Sequence, residues 1–379
     1  MSSLPPLSLY IHVPWCVRKC PYCDFNSHTS PQQLPEQEYI QALIEDIDTE
    51  LAWVQGRPIH SVFIGGGTPS LLSGRAYQDL FSALRRRLAF TKTCEITLEA
   101  NPATVEHDNF DGYLAAGINR LSLGVQSFNP QHLQTLGRIH SQQDAIQAVE
   151  LAKQAGFTNF NLDLMHGLPE QSLDHAMTDL DMALSLSPTH VSWYQLTIEP
   201  NTAFYRQPPT LPDDELLWTI QETGQRKLTQ AGFQQYEVSA YSQHHPSQHN
   251  LNYWQFGDYL AIGAGAHGKV TTPEGIFRYR KTRLPKDYLA NTSTQQRRLA
   301  LEQIDTDDLV FEFMMNGLRL KQGFARPLFS QRTGLSDSLL EELLHPLLVK
   351  GWLQQRDHYI ACTELGFNYL NDVLGYFLK

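Results

Sequence analysis

Along its first half the chain alternates short runs rich in β-branched and aromatic residues with longer stretches whose apolar residues recur every three or four positions. The short runs are Leu7 to Val13, Ser61 to Gly65, Cys94 to Ala100, Arg120 to Gln126, Asn159 to Met165 and His190 to Thr197, and each predicts a strand. Between the first two, Glu36 to Val54 predicts a helix with Ile40, Leu43, Ile44, Ile47 and Leu51 on one face. Arg75 to Leu88, Val105 to Ala116, Ser141 to Ala155 and Ser172 to Leu186 predict further helices. A strand can be followed by a parallel neighbour only if a crossover carries the chain back, so this alternation reads as βα units. Six of them running one way predict an α/β fold, a partial (β/α)6 barrel, with functional side chains gathered where the strands end.

Gln207 to Pro212 is rich in proline and breaks the pattern before another helical stretch, Asp213 to about Ala231. Tyr236 to Tyr241 and Asp258 to Val270 read as strands on either side of a polar, His-rich turn. From about Thr306 the character changes again: helical patterns at Asp307 to Arg319 and Asp337 to Lys350 are followed by a strand-like run, Tyr359 to Cys362, and a last helix from Leu365. The expected organisation is a barrel over 1–210, a barrel extension over 211–300 and a winged-helix-like α+β domain over 301–379.

The 379 residues carry 29 Lys plus Arg against 40 Asp plus Glu, a formal charge of −11 that disfavours general attraction to nucleic acid or anionic lipid. Basic residues in the last domain are sparse and mixed with Glu341, Glu342, Asp357 and Glu364, so DNA recognition is not expected there. No stretch of 18 apolar residues occurs and the first residues lack a leader pattern, so a cytoplasmic protein without a transmembrane segment is expected.

Three of the five cysteines, Cys16, Cys20 and Cys23, fall together directly after the first strand, in LYIHVPWCVRKCPYCDF. An odd cluster in a reducing compartment argues against disulfides. Three thiolates on one loop can hold three corners of an iron-sulfur cube or three positions of a zinc tetrahedron, with His12 or His28 at hand as a fourth zinc ligand. Gly65, Gly66 and Gly67, followed by Thr68 and Pro69, end the second strand, where missing Cβ atoms would let the backbone approach a ligand. Glu99 and Gln126 end the third and fourth strands and Asp163 lies toward the end of the fifth, so all three should meet at one mouth.

The spacing Cys16-x3-Cys20-x2-Cys23, with Tyr22 before the third cysteine, resembles the cluster motif of the radical S-adenosylmethionine superfamily. That resemblance implies a 4Fe-4S cluster on the three cysteines and S-adenosylmethionine on the open iron. Tyr10, Gly66, Gly67, Thr68, Glu99, Gln126, Arg138 and Asp163 match the S-adenosylmethionine contacts of oxygen-independent coproporphyrinogen III oxidases. The chain departs from those oxidases in one respect: they carry another cysteine two residues after the third, and Phe25 stands there in this sequence.

A second motif lies at His249-Asn250-Leu251-Asn252-Tyr253-Trp254, in the turn before the Asp258 strand. A neutral imidazole is a common axial ligand of haem iron, and Tyr and Trp offer flat apolar faces. The string is similar to the haem-binding motif of haem chaperones that share the oxidase scaffold. With IGGGTPSLLSG, LGVQSF, NLDLMHGLP and SWYQLTIEPNT, the likeness extends over nearly the whole chain, which is identified as a member of that chaperone family. The resemblance implies a haem cargo held by His249, Tyr253 and Trp254, membrane respiratory haem proteins as acceptors, and a homodimer that depends on the cluster. The alternative reading is the oxidase itself.

Two other runs suggest sites more weakly. Gly263-Ala264-Gly265-Ala266-His267-Gly268 has the G-x-G-x-x-G spacing of a dinucleotide site, but the residues after it, Val270 to Tyr279, are β-like and offer no helix N-terminus to a pyrophosphate. Arg278, Arg280, Lys281 and Arg283 are expected to form a solvated strand edge, with one of them able to pair with a haem propionate.

Overall fold

The computed structural model describes residues 4–104, 107–291 and 294–378. Six strands of the first half, β1 (Leu7–Val13), β2 (Ile59–Gly66), β3 (Phe90–Ala100), β4 (Arg120–Gln126), β5 (Phe160–His166) and β6 (His190–Gln195), are parallel neighbours in chain order. Crossover helices α1 (Glu36–Glu50), α2 (Gly74–Arg85), α3 (His107–Ala116), α4 (Gln142–Ala155) and α5 (Leu173–Ser185) return the chain between them. The expected helix start at Val105 lies outside the described residues.

Local chemistry sets the helix ends. Ser73 accepts the Ala76 N–H ahead of α2, Ser141 and Asp144 form a reciprocal cap on α4, and Ser172 accepts the His175 N–H ahead of α5. After α4 the chain reverses through Gly156 at φ 108°, a conformation that glycine adopts without a Cβ clash.

The barrel is open and wider than its six units. After α6 (Asp214–Gln230) the chain adds β7 (Gln234–Glu237) and β8 (Ala240–Ser242) antiparallel beyond β6. Helix α7 (Gln248–Trp254) then leads to β9 (Asp258–Ile262), which lies parallel to β1 on its other side, Leu7 opposite Asp258. β10 (His267–Thr272), β11 (Gly275–Lys281) and β12 (Arg298–Gln303) continue the sheet antiparallel from there. The order among the described residues is β12, β11, β10, β9, β1, β2, β3, β4, β5, β6, β8, β7. Two runs read as single strands from sequence are therefore each two: a turn at Val238–Ser239 divides the first, and Gly263 to Ala266 divides the second. The glycine-rich run opens onto a strand, His267–Thr272, as its β-like sequence predicted.

Strand alternation sorts side chains by chemistry. Leu9, Ile11, Val62, Ile64, Ile96, Leu98, Leu121, Leu123, Leu162 and Leu164 are buried in the core shared with the helices. The alternate positions carry Ser8, His12, Ser61, Glu95, Thr97, Arg120, Ser122, Asn161 and His190, also buried. One face of the sheet is thus packed apolar and the other is a buried polar lining.

A second core forms around Phe313, Phe324, Phe329, Leu340 and Leu344. Its order is helix Thr306–Gly317, strand Phe324–Ala325, helices Arg326–Thr333 and Asp337–Val349, then the hairpin Leu353–Arg356 and Tyr359–Cys362, which is winged-helix topology. Phe256 and Ile276 from the preceding segment belong to the same core, and Arg278 pairs with Glu312 at 2.6 Å.

That pair corrects the expectation of a solvated cationic edge. Arg280 and Arg283 are exposed, but Lys281 is 0% exposed, with Nζ 2.6 Å from Asp46 and 2.5 Å from Glu50 on α1. Asp46 also accepts the Tyr288 hydroxyl and the Gly263 N–H, so the cation anchors β11 to α1 through a buried network. Removing one member of such a network leaves buried charge uncompensated. Lys281→Met is expected to cost about 3–5 kcal/mol of stability, read by chemical denaturation; a loss within experimental error would mean the carboxylates are protonated or hydrated.

Candidate functional site

A cavity of about 810 Å³ opens at the carboxyl ends of the parallel strands. Its wall includes Cys16, Cys20 and Cys23 from the loop after β1, Gly66, Gly67 and Thr68 from the end of β2, Glu99 from β3, Gln126 from β4, Asp163 from β5 and Arg138. Nearly all the residues singled out from sequence therefore share one cavity. Tyr10 is not among the lining residues; its hydroxyl is 2.9 Å from His12 Nδ1.

The cysteines are free thiols, half-buried, on a loop tied down by the His28 N–H to Pro14 and the Ser30 N–H to Cys16. Burial pushes the Cys16 and Cys23 thiols above their ordinary range. Among the described residues no three His, Cys, Asp or Glu side chains are gathered tightly enough to hold a metal ion. Three thiolates suit an iron-sulfur cluster; of the two histidines at hand as a fourth zinc ligand, His12 is engaged, with Nδ1 facing Tyr10 and Nε2 2.9 Å from the Asn26 carbonyl, whereas His28 Nε2 is buried without a partner.

The glycines also serve a packing purpose that the sequence did not reveal. A Cβ on Gly66 would lie 2.4 Å from the His12 ring, and one on Gly67 would lie 2.5 Å from the Trp15 carbonyl oxygen. Gly66 also adopts φ 113°. The chain needs glycine here to pack β2 against the root of the cysteine loop, and the Gly66 and Gly67 N–H groups are taken by Glu99 Oε2 and the Val13 carbonyl.

Glu99 is the most perturbed carboxyl in the wall. Burial, aided by repulsion from Asp163 and opposed by the Gly66 N–H, pushes it up to about 8. Burial also raises Asp163, less so because Ser122 and Asn161 donate to it at 2.9 and 2.8 Å. Gln126 sits at φ 69°, left-handed for a residue with a Cβ, after a bulge in the β4–β5 ladder, and its Oε1 accepts the Tyr194 hydroxyl at 2.7 Å. Arg138, an ordinary surface cation on sequence alone, is turned inward: Nη2 donates to the Gly124 carbonyl at 2.6 Å and Nη1 lies 3.7 Å from Cys20 Sγ.

The second motif is on a helix, correcting the expected turn. Ser247 accepts the Asn250 N–H and starts α7, a cap legible as Ser-x-x-Asn but overlooked in the surrounding histidines. One turn of helix then aligns residues four apart. His249 and Tyr253 face the sheet: His249 Nδ1 lies 3.0 Å from Ser61 Oγ and Nε2 lies 2.9 Å from the Tyr253 hydroxyl. Asn250 and Trp254 face the cavity. Burial, reinforced by His60 and Arg120, pushes His249 down to about 3, so its imidazole is neutral. Tyr253 and Trp254 also border a smaller cavity of about 220 Å³ beside Tyr259, Lys269 and Arg278.

Register fixes the depth of this helix. Ser247 Oγ and the His249 N–H both reach Glu95, which pairs across the ladder with Ser61. Glu95 lies four residues before Glu99, about 13 Å at roughly 3.3 Å per residue, so the cysteine mouth and α7 border the cavity at different depths. Tyr22, Tyr194, Glu237, Asn250 and Arg319 also line the wall and were not singled out as site residues from sequence. Only Tyr22 and Asn250 carried a signal, lying inside the motifs.

Residues 10–183 match the model of the radical SAM superfamily and residues 304–368 that of the HemN C-terminal domain. The heme chaperone HemW of Escherichia coli strain K12 is 51% identical over 100% of both chains. The chain belongs to the HemW family. A HemW of Bacillus subtilis is 34% identical over 98% of this chain and 99% of its own. Among solved structures, coproporphyrinogen III oxidase (HemN) from Escherichia coli, a radical SAM enzyme, superposes with a TM-score of 0.81 at 25% identity, covering 99% of this chain and 90% of that one. HemW relatives and HemN thus share this architecture, and no helix among the described residues is long and apolar enough to cross a membrane.

The Glu99 shift has a direct consequence. A carboxyl that keeps its proton to about pH 8 when folded, but releases it in the ordinary range when unfolded, makes folding costlier as pH rises between those values. Glu99→Gln is expected to raise the melting temperature of the ligand-free protein by a few degrees near pH 9 and hardly at all near pH 5. Equal effects at both pH values would show that Glu99 is ionised throughout.

Proposed function

We propose that this protein is a cytoplasmic haem chaperone: it binds haem and passes it to membrane respiratory haem proteins from a scaffold that also holds a 4Fe-4S cluster and S-adenosylmethionine. The observation that carries the reading is α7, which sets a neutral imidazole, His249, against the sheet and turns Asn250 and Trp254 into the cavity that the three cysteines border. Membership of a family whose relatives are named heme chaperones supports the same conclusion.

Cys16, Cys20 and Cys23 would hold the cluster, leaving one iron open, and such a cluster supplies electron transfer to a bound sulfonium. Tyr10, Gly66, Gly67, Thr68, Glu99, Gln126, Arg138 and Asp163 would seat S-adenosylmethionine. The protonated Glu99 can donate as well as accept, which suits ribose hydroxyls. Cluster loading is also the expected trigger for a homodimer. Phe25, 59% exposed at the cavity rim where the oxidases carry cysteine, disfavours the oxidase reaction.

His249, Tyr253 and Trp254 would take the haem, and His249 must exchange one hydrogen bond for iron. Ser61 lies on a core strand, whereas Tyr253 lies on the same short helix, so Nε2 is the nitrogen to be released and Ser61 is the group that keeps the ring oriented.

Anaerobic haem titration followed by transfer to an apo respiratory haem protein tests this reading. His249→Ala is expected to weaken haem binding ~10-fold or more while leaving the iron-sulfur absorbance intact. Tyr253→Phe, which frees Nε2, should bind haem faster than wild type. Unchanged binding in the alanine variant would remove His249 as the ligand, and failure of any transfer would remove the chaperone reading.

A further inference from the structure

We infer that Arg319 binds a porphyrin carboxylate in the large cavity, an assignment that rests on the haem reading above. Arg319 lies just after the helix Thr306–Gly317, so it reaches the cavity from the C-terminal unit. Its Cζ lies 4.5 Å from the centre of the Trp254 ring, and Nη2 is 3.2 Å from Glu237 Oε2. Those two contacts fix the plane of the guanidinium and use one of its edges.

The rest of the group is unspent. Arg319 Nε is buried and has no hydrogen-bond partner, and neither has Trp254 Nε1 beside it. Buried donors without partners are uncommon in folded chains and point to an absent acceptor. Glu237 cannot serve twice, because its other oxygen already takes the Ser239 N–H and O–H, each at 3.1 Å. It is a positioning residue for the arginine.

The other side chains of the wall narrow the ligand. Among the described residues the cavity is also lined by Arg18, exposed on the cysteine loop, and Arg138, which is directed at Cys20 and the Gly124 carbonyl. Asp163 disfavours an anion on its part of the wall. An anionic oxygen is therefore matched best by the corner that Arg319 and Trp254 make on the motif-helix side, where a flat aromatic body also finds the indole. Planar guanidinium forks suit carboxylates, and haem carries its carboxylates on one edge of a flat disc. A water molecule could satisfy the same donors, but it would not make affinity depend on ligand charge.

The test compares haem with iron protoporphyrin IX dimethyl ester, whose carboxylates are masked, by titration in wild type, in Arg319→Gln, and in the double variant Glu237→Gln/Arg319→Gln. The double variant removes both charges, so no buried carboxylate is stranded. Wild type is expected to favour the free acid by about tenfold, and both variants by less than about threefold. Wild-type haem binding without that preference, or a preference that survives in the double variant, overturns the role of Arg319 and leaves the haem reading standing. If wild type binds neither porphyrin, both fall.

Discussion

A sheet whose concave face is polar is costly to bury unless most of its polar groups find partners, and that requirement organises this molecule. Ser8, Ser61, Glu95, Arg120, Ser122, Asn161 and His190 would each be costly inside an empty barrel. Most find partners within the lining or on one short helix, whereas Arg120 Nε and His190 Nδ1 have no hydrogen-bond partner. Ser8 meets Ser61, Ser61 meets His249, and Glu95 takes Ser247 and the His249 backbone. Asn161 bridges Ser122, Asp163 and Ser192. Helix α7 is therefore at once the plug that satisfies the lining and the element that carries the second motif. A residue proposed to bind iron is thereby held in a structural bond until cargo arrives.

The parallel core was legible because it obeys one local rule repeatedly. Leu7 to Val13, Arg120 to Gln126 and Tyr359 to Cys362 begin and end where the apolar runs do, and two helical stretches predicted to start at Ser141 and Ser172 are capped by those serines. The placement of the site at the strand ends came from the fold. Features decided by long-range pairing could not be read. The solvated edge failed at Lys281, because nothing near residue 281 announces that Asp46 and Glu50 will face it. A seventh parallel strand, β9, was foreseen as a strand but not as the neighbour of β1.

The site was legible in its motifs and opaque in its mechanics. The cysteines, Glu99, Gln126 and Asp163 could be located by their place after a strand, but the reason for Gly66 and Gly67 could not. Sequence suggests room for a ligand; the structure adds that a Cβ at these positions would strike His12 and the Trp15 carbonyl. Likewise the spacing H-N-x-x-Y-W reads as one cluster of aromatics, yet the helix splits it into a pair facing the sheet and a pair facing the cavity. Arg319 had no local signal, since its role depends on Glu237 and Trp254, both more than 60 residues away.

The position of β1 has a bearing on biosynthesis. Its second neighbour, β9, starts at Asp258, opposite Leu7, so about 250 residues separate the two halves of that pairing. At ~5–20 residues per second a ribosome takes tens of seconds to cover the gap. Until then the first strand has a bare edge, and the thiol loop that grows from it lacks the Ala264 and Arg283 carbonyls that hold Asn26. The thiol loop therefore gains its full set of anchors only once residues 264 to 283 have been made and paired.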